Sequence, residues 1–143
     1  AMLSASGTLA ATDGGPATDD LRKPCRSLYV QTARWDRGSF AMLFDSANPD
    51  ASVETRNVST VAPQALFLLN DAFVLDQSKK LAQRLSAEIP NNPDARIQRA
   101  YSLLFSRHAT SGETAACKKL LASADWNDLM HVLLCSNAFA YLQ

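Results

Sequence analysis

Apolar residues recur at helical spacing through the second half of the chain. One stripe repeats at i, i+3, i+4, i+7 and i+8: Ile97, Ala100, Tyr101, Leu104 and Phe105. This spacing places one face of a helix against a core. Asn92 caps the start of that helix, with Pro93 at the first helical position, where a missing N–H leaves no partner unsatisfied. The arginines of this region are expected to face mostly away from the stripe: Arg96, Arg99 and Arg107.

An earlier helical region begins at Pro63 and ends near Pro90. Asn70 and Asp71 interrupt it, because short polar side chains compete for backbone hydrogen bonds. We therefore predict a break, with Asp71 capping the second part. Its apolar residues are predicted to share one buried face: Leu66, Leu69, Phe73, Leu81 and Leu85.

Two further short helices complete the C-terminal third of the chain. Thr110 and Glu113 have the spacing of a capping box at the start of one of them. Asp125 caps the last helix, and its pairing with Asp128 suits a helix N-terminus better than acid–base chemistry. The buried faces are predicted to contain Ala116, Cys117, Leu120, Leu121, Trp126, Leu129, Met130 and Leu133. Short turns between these helices favour antiparallel packing.

The N-terminal half is less regular. Residues 2–6 have the pattern of the last turns of a helix, with Gly7 as a left-handed cap. Residues 27–32 are the richest in β-formers and are predicted to be extended, and Phe40, Leu43 and Phe44 indicate one short helix.

These patterns predict a mainly α fold, a small bundle of about five or six short helices. Long N-terminal loops and at most one short extended segment accompany the helices. We expect a single helical domain over residues 1–143, with residues 1–24 loosely attached and residues 38–143 forming the helical core. Because residues 2–9 resemble a helix tail, we also expect a fragment of a larger protein, with weak self-association through exposed apolar surface.

Composition excludes several function classes. Fourteen basic residues balance fourteen acidic residues. The nearest approach to a basic cluster mixes both signs, which predicts a solvated face and no nucleic-acid partner: Arg22, Lys23, Arg26, Arg34 and Arg37 with Asp19, Asp20 and Asp36. The longest apolar run, residues 65–69, is far too short to insert into a membrane.

The sequence contains no catalytic signature, so we lean against an enzyme. Cys117, His131 and Cys135 are a weak candidate for a zinc site, since His131 and Cys135 lie one helical turn apart. The alternative is that both cysteines are small buried hydrophobes and His131 a partly buried edge residue. An odd cysteine count, with Cys25, allows one disulfide and one free thiol. No C-x-x-C-H motif exists for covalent haem, and no cofactor is expected in this chain.

Four stretches carry a family resemblance. They are MLSASGTL (2–9) followed by GGP (14–16), RSLYV (26–30) with LFD (43–45), RNVSTVAPQALFLLN (56–70), and DL (128–129) with SNAF (136–139). The chain resembles the C-terminal part of the planctomycete cytochrome-c-associated domain of unknown function. That resemblance implies a piece of a large exported, extracytoplasmic protein, with any haem held by a separate module. Four residues of the family motif are expected to be structural: Arg56, Thr60, Gln64 and Asn70.

Two functions follow as hypotheses. The first is a non-catalytic accessory or interaction module whose partners are other domains of the parent protein. The alternative is a carbohydrate-binding or polysaccharide-processing domain, because sugar sites combine exposed aromatic rings with fixed polar groups. Its candidate ligand-binding residues are Tyr29, Arg34, Trp35 and Arg37.

Overall fold

The computed structural model describes residues 1–11, 15–20, 22–31, 43–44 and 61–140. The chain divides into two compact units, which are Leu9–Phe67 and a helical unit formed by Ala1–Thr8 with Leu68–Gln143. The described residues are mainly helical, which confirms the predicted mainly α fold. The single domain over residues 1–143 and its core over residues 38–143 stay predictions.

Seven α-helices lie in the described residues. They are α1 (Met2–Ala5), α2 (Ala62–Asn70), α3 (Ala72–Glu88), α4 (Pro93–Phe105), α5 (Ser111–Leu121), α6 (Trp126–Leu134) and α7 (Asn137–Ala140). Helix α3 packs most extensively against α6. The buried core of the helical unit comes from α3, α4, α5 and α6, and includes Leu81, Leu85, Ile97, Ala100, Met130 and Leu129.

The predicted helix starts are confirmed by side-chain hydrogen bonds. The carboxylate of Asp71 accepts from the backbone N–H of Phe73 at 2.8 Å, so the break between α2 and α3 falls where expected. Asn92 likewise accepts from an N–H of the first turn of α4. Capping boxes begin α5 and α6, at residues 110–113 and 125–128. Such caps are local, because each satisfies N–H groups that the helix itself leaves free.

Helix α2 is rotated relative to the prediction. Leu66 and Leu69, predicted to be buried, are 59% and 53% exposed, whereas Gln64 and Leu68 are buried. The prediction was wrong because residues 65–69 are all apolar, so periodicity does not select a face. Packing and the hydrogen bonds of the Gln64 amide select it instead.

The α4 stripe is confirmed at Ile97, Ala100 and Tyr101, which are buried, whereas Leu104 and Phe105 are only partly buried at the margin of the core. The predicted outward orientation was wrong for one arginine. Arg96 is 8% exposed. A buried charge must be hydrogen-bonded or paired. The guanidinium of Arg96 satisfies this condition because backbone carbonyls accept its hydrogen bonds.

Residues 1–8 contact α3. Gly7 has φ 76°, which confirms the left-handed cap. The hydroxyls of Ser6 and Thr8 both donate to Oε1 of Gln77, at 2.6 and 2.9 Å, and Arg84 donates to two carbonyls at the end of α1. The loose attachment of residues 1–24 stays a prediction, and these contacts favour slower amide exchange near Ser6 than across residues 9–24.

In its described residues the Leu9–Phe67 unit contains the first part of α2 and little other regular structure. Ser27–Tyr29 forms one turn of 3-10 helix, so the extended segment predicted at residues 27–32 begins with a helical turn. Val30, which follows, makes an isolated parallel bridge with Thr18. Of the predicted short helix, Phe40 lies outside the described residues, and the ring of Phe44 meets that of Phe67 edge-on at 5.6 Å.

Candidate functional site

The clearest convergence of chemically active side chains lies at the end of α2. Nε2 of His131 is 3.0 Å from the carbonyl oxygen of Leu68, and the thiol of Cys135 donates to the same oxygen at 3.2 Å. The last four carbonyls of a helix have no partner within it, and Leu68 belongs to the last four residues of α2. The break before Asp71 therefore leaves a carbonyl that α6 and its C-terminal cap residue satisfy.

The protonation states of both groups follow from this contact. The carbonyl only accepts, so Nε2 of His131 carries a proton and donates it. Burial raises the pKa of the Cys135 thiol, which keeps it protonated and able to donate. A thiol with a raised pKa is a poor nucleophile, because only the thiolate attacks. The arrangement holds the Leu68 carbonyl against α6.

Cys117 lies elsewhere in the core. Its sulfur is 4.0 Å from the Tyr101 hydroxyl. Burial is the main cause that raises the pKa of the Cys117 thiol. Burial is also the main cause that raises the pKa of Tyr101, to about 12. Across the described residues no group of three His, Cys, Asp or Glu side chains is placed to hold a metal ion, so the predicted set of Cys117, His131 and Cys135 is not assembled. The three cysteines are all free thiols: Cys25, Cys117 and Cys135.

The carboxylates with shifted pKa values sit in ion pairs and caps. Hydrogen bonds from Arg99 and then Arg84 lower the pKa of Glu88. The backbone N–H of Asp128 lowers the pKa of Asp125, as expected for a cap. Nε of Arg84 lies 2.7 Å from Oε1 of Glu88, and Nε of Arg99 lies 2.8 Å from Oε2. Both carboxylates therefore owe their lowered pKa values to structural contacts.

The strongest carboxylate shift belongs to Glu113. Arg107 donates two hydrogen bonds to it, at 2.8 and 2.6 Å, and the backbone N–H of Thr110 donates a third at 2.8 Å. Together, with Arg107 the largest cause, they lower the pKa of Glu113 from 4.5 to about 2. A depressed folded-state pKa contributes stability that is present above the unfolded pKa and is lost as pH falls through the folded value.

Replacing Glu113 with Gln should therefore reduce the free energy of unfolding at neutral pH. The deficit relative to the native chain should shrink between pH 4.5 and about 2, because the native carboxylate loses its advantage there. Urea unfolding at a series of pH values measures this difference. In an Arg107→Gln background the same change should have a much smaller effect, and a pH-independent deficit would contradict the assignment.

The predicted carbohydrate-binding residues are only partly covered by the structure. Tyr29 is half-buried at the end of the 3-10 turn, and its carbonyl accepts from the N–H of Thr18 at 2.9 Å. Arg34, Trp35 and Arg37 lie outside the described residues. The structure thus describes one member of this set, and the grouping of the four residues stays a prediction.

The structure describes two of the four family-motif residues, Gln64 and Asn70. Arg56 and Thr60 lie outside the described residues. Gln64 is buried, and its amide N–H donates to the carbonyl of Leu43 at 2.8 Å, a backbone contact of the structural kind expected for this residue. Asn70 is exposed at the last position of α2.

Sequence reasoning missed the Leu68 carbonyl, Gln77 and Arg96. A backbone acceptor leaves no mark in side-chain patterns, although the predicted break at Asp71 implies that carbonyls just before it need partners. Gln77 lies within a helix and meets residues far away in the chain, so local spacing carries no signal for it.

The described residues define a class, a mainly α-helical protein, and none of the described helices is long and apolar enough to cross a membrane. Comparison with protein families matches residues 1–121 to the family described as "PSD1: Protein of unknown function (DUF1553)". The chain belongs to this family. Comparison with curated proteins gives no match, and comparison with solved structures gives none either.

The family match bears on the resemblance found in the sequence. A domain family of unknown function is confirmed over residues 1–121. Planctomycete origin and association with cytochrome c stay predictions.

Proposed function

We propose that this chain is a non-catalytic interaction module whose partners are other domains of a larger parent protein. The supporting observation is the orientation of α2, which buries Gln64 and leaves Leu69 53% exposed. Leu66, three residues earlier and on the same helical face, is 59% exposed. Apolar side chains that lie next to each other on an exposed helical face are typical of an interaction surface.

The titratable groups support the non-catalytic part of the proposal. Catalytic acids and bases owe their shifted pKa values to clefts and matched partners. Here burial in the core accounts first for the raised pKa values of Tyr101, Cys117 and Cys135. Ion pairs and helix caps account for the lowered pKa values of Glu88 and Glu113.

Mixing the chain with the remainder of its parent polypeptide tests the proposal. Size-exclusion chromatography and titration calorimetry should detect association of the native chain. Leu69→Asp should weaken it at least about tenfold, because a charge would be buried at the centre of the contact. Val132→Asp is the matched control, since Val132 is 54% exposed on a different helix, α6, and should leave binding unchanged.

Both substitutions fall on exposed positions, so neither should unfold the chain, and thermal melts check this. Absence of association between the native chain and the remaining polypeptide would refute the interaction role. Equal weakening by Leu69→Asp and Val132→Asp would refute the α2 face as its surface.

The alternative proposal is a carbohydrate-binding or polysaccharide-processing domain. Its support is the grouping in the sequence of Tyr29 and Trp35 with Arg34 and Arg37. A glycan array of neutral and sulfated polysaccharides tests it directly. Binding that is lost in Tyr29→Ala would favour this function, and a blank array at high protein concentration would remove it.

The family resemblance further supports an extracytoplasmic location in an exported protein. In this proposal any haem belongs to a separate module of the parent protein. Fractionation of cells that produce the parent protein, followed by detection in the periplasmic and secreted fractions, tests the location.

A further inference from the structure

Three possible metal donor atoms of different kinds meet at the end of α2. An imidazole nitrogen and a thiol sulfur each lie within 3.2 Å of one carbonyl oxygen. His131 and Cys135 occupy one helical face, because Cys135 continues the α-helical backbone with φ −84° and ψ −5°. The side chains of His131 and Cys135 both make a hydrogen bond to this carbonyl, which belongs to Leu68.

We propose that His131, Cys135 and the carbonyl of Leu68 bind a divalent cation of the Zn²⁺ class, with solvent as the remaining ligand. Imidazole and thiolate are the donors that zinc prefers, and a site with three protein donors and one solvent position is an open tetrahedral site. The proposal is independent of the interaction surface on α2. It replaces the sequence-predicted set by exchanging Cys117 for a backbone oxygen.

The distances of the nitrogen and the sulfur from the carbonyl oxygen are close to those that a tetrahedral ion needs. Bond lengths of about 2.0–2.3 Å around zinc place nitrogen about 3.4 Å and sulfur about 3.6 Å from an oxygen ligand. The separations in the structure are 3.0 and 3.2 Å. Each must open by about 0.4 Å. That change falls within a rotamer adjustment of two partly exposed side chains.

Binding exchanges two hydrogen bonds for three metal bonds. The Cys135 thiol loses its proton to solvent and its sulfur bonds the ion, while the His131 proton moves from Nε2 to Nδ1 so that the Nε2 lone pair can bond. One proton is released for each ion, and no electron is transferred. Affinity should therefore rise about tenfold per pH unit while the thiol remains mostly protonated.

Cobalt(II) is the probe, because thiolate coordination gives a near-ultraviolet charge-transfer absorption. The native chain should bind one Co²⁺ with that absorption, and Zn²⁺ should displace it. Cys135→Ser and His131→Asn each keep a donor for the Leu68 carbonyl but replace the metal ligand. Both should lose at least tenfold in Co²⁺ affinity while their melting temperatures without metal stay near the native value.

Cys25→Ser is the matched control, since it removes another partly exposed free thiol and should leave the absorption unchanged. A native chain without the charge-transfer absorption would overturn the proposal. So would an absorption that survives in Cys135→Ser or disappears in Cys25→Ser. Loss of the absorption in His131→Asn and Cys135→Ser alone, with a matching loss of zinc-induced thermal stabilisation, supports it.

Discussion

Replacing Leu85 with alanine should lower the free energy of unfolding by about 2–5 kcal/mol. Leu85 lies in α3 and has no exposed surface. It belongs to the cluster in which α3 meets α4, α5 and α6. The truncation removes buried methyl groups and leaves a cavity, and the surrounding helices relax only partly because each is fixed by its own caps.

Leu69→Ala is the matched control for this prediction, because it makes the same chemical change at a position that is 53% exposed. Its cost should stay below about 1 kcal/mol. Urea unfolding of both variants, compared at equal slope, measures the two values. Similar losses would show that the exposed face of α2 is buried in solution, and that the chain associates with itself.

The features that could be predicted from the sequence are those with local causes. Asp71, Asn92, the capping box at residues 110–113 and the cap at Asp125 were predicted because a cap satisfies N–H groups two or three residues away. The buried residues that begin at Ile97 could be predicted for the same reason, since helical spacing alone brings them to one face. The mainly helical class of the fold, and the starts of the helices that these caps begin, followed from such signals.

The features that could not be predicted depend on distant parts of the chain. The run at residues 65–69 is apolar throughout, so the face of α2 is chosen by tertiary contacts such as that of Gln64 with the carbonyl of Leu43. The candidate site was half found: His131 and Cys135 were paired by spacing, but their common partner is a backbone oxygen more than sixty residues earlier in the chain.

Arg96 is the clearest example of a buried side chain that sequence patterns miss, because hydropathy alone assigns an arginine to solvent. Its Nε and Nη2 donate to the carbonyl of Ile89 at 3.0 and 2.8 Å, and Nη2 also donates to that of Pro90 at 2.8 Å. The guanidinium lies 4.5 Å from the centre of the Trp126 ring. These contacts join the end of α3, the start of α4 and the start of α6 through one planar side chain.

Replacing Arg96 with methionine should therefore cost about 2–4 kcal/mol of unfolding free energy. The change keeps the aliphatic length, but it leaves the carbonyls of Ile89 and Pro90 without their charged donor and removes the cation–π contact with Trp126. Arg96→Lys should recover only part of the loss, because an ammonium group cannot reproduce the planar fork over Trp126.

Arg99→Met, on the same helix, provides the comparison for Arg96→Met. The side chain of Arg99 is 40% exposed and pairs with Glu88 at 2.8 Å, so its loss should cost less than about 1 kcal/mol. Raising the salt concentration should weaken the contribution of Arg99 but hardly change that of Arg96, because solvent ions screen only the exposed pair. Urea unfolding at low and high salt separates the two. An Arg96→Met loss as small and as salt-sensitive as that of Arg99→Met would mean that Arg96 is solvated in solution and does not join the three helices.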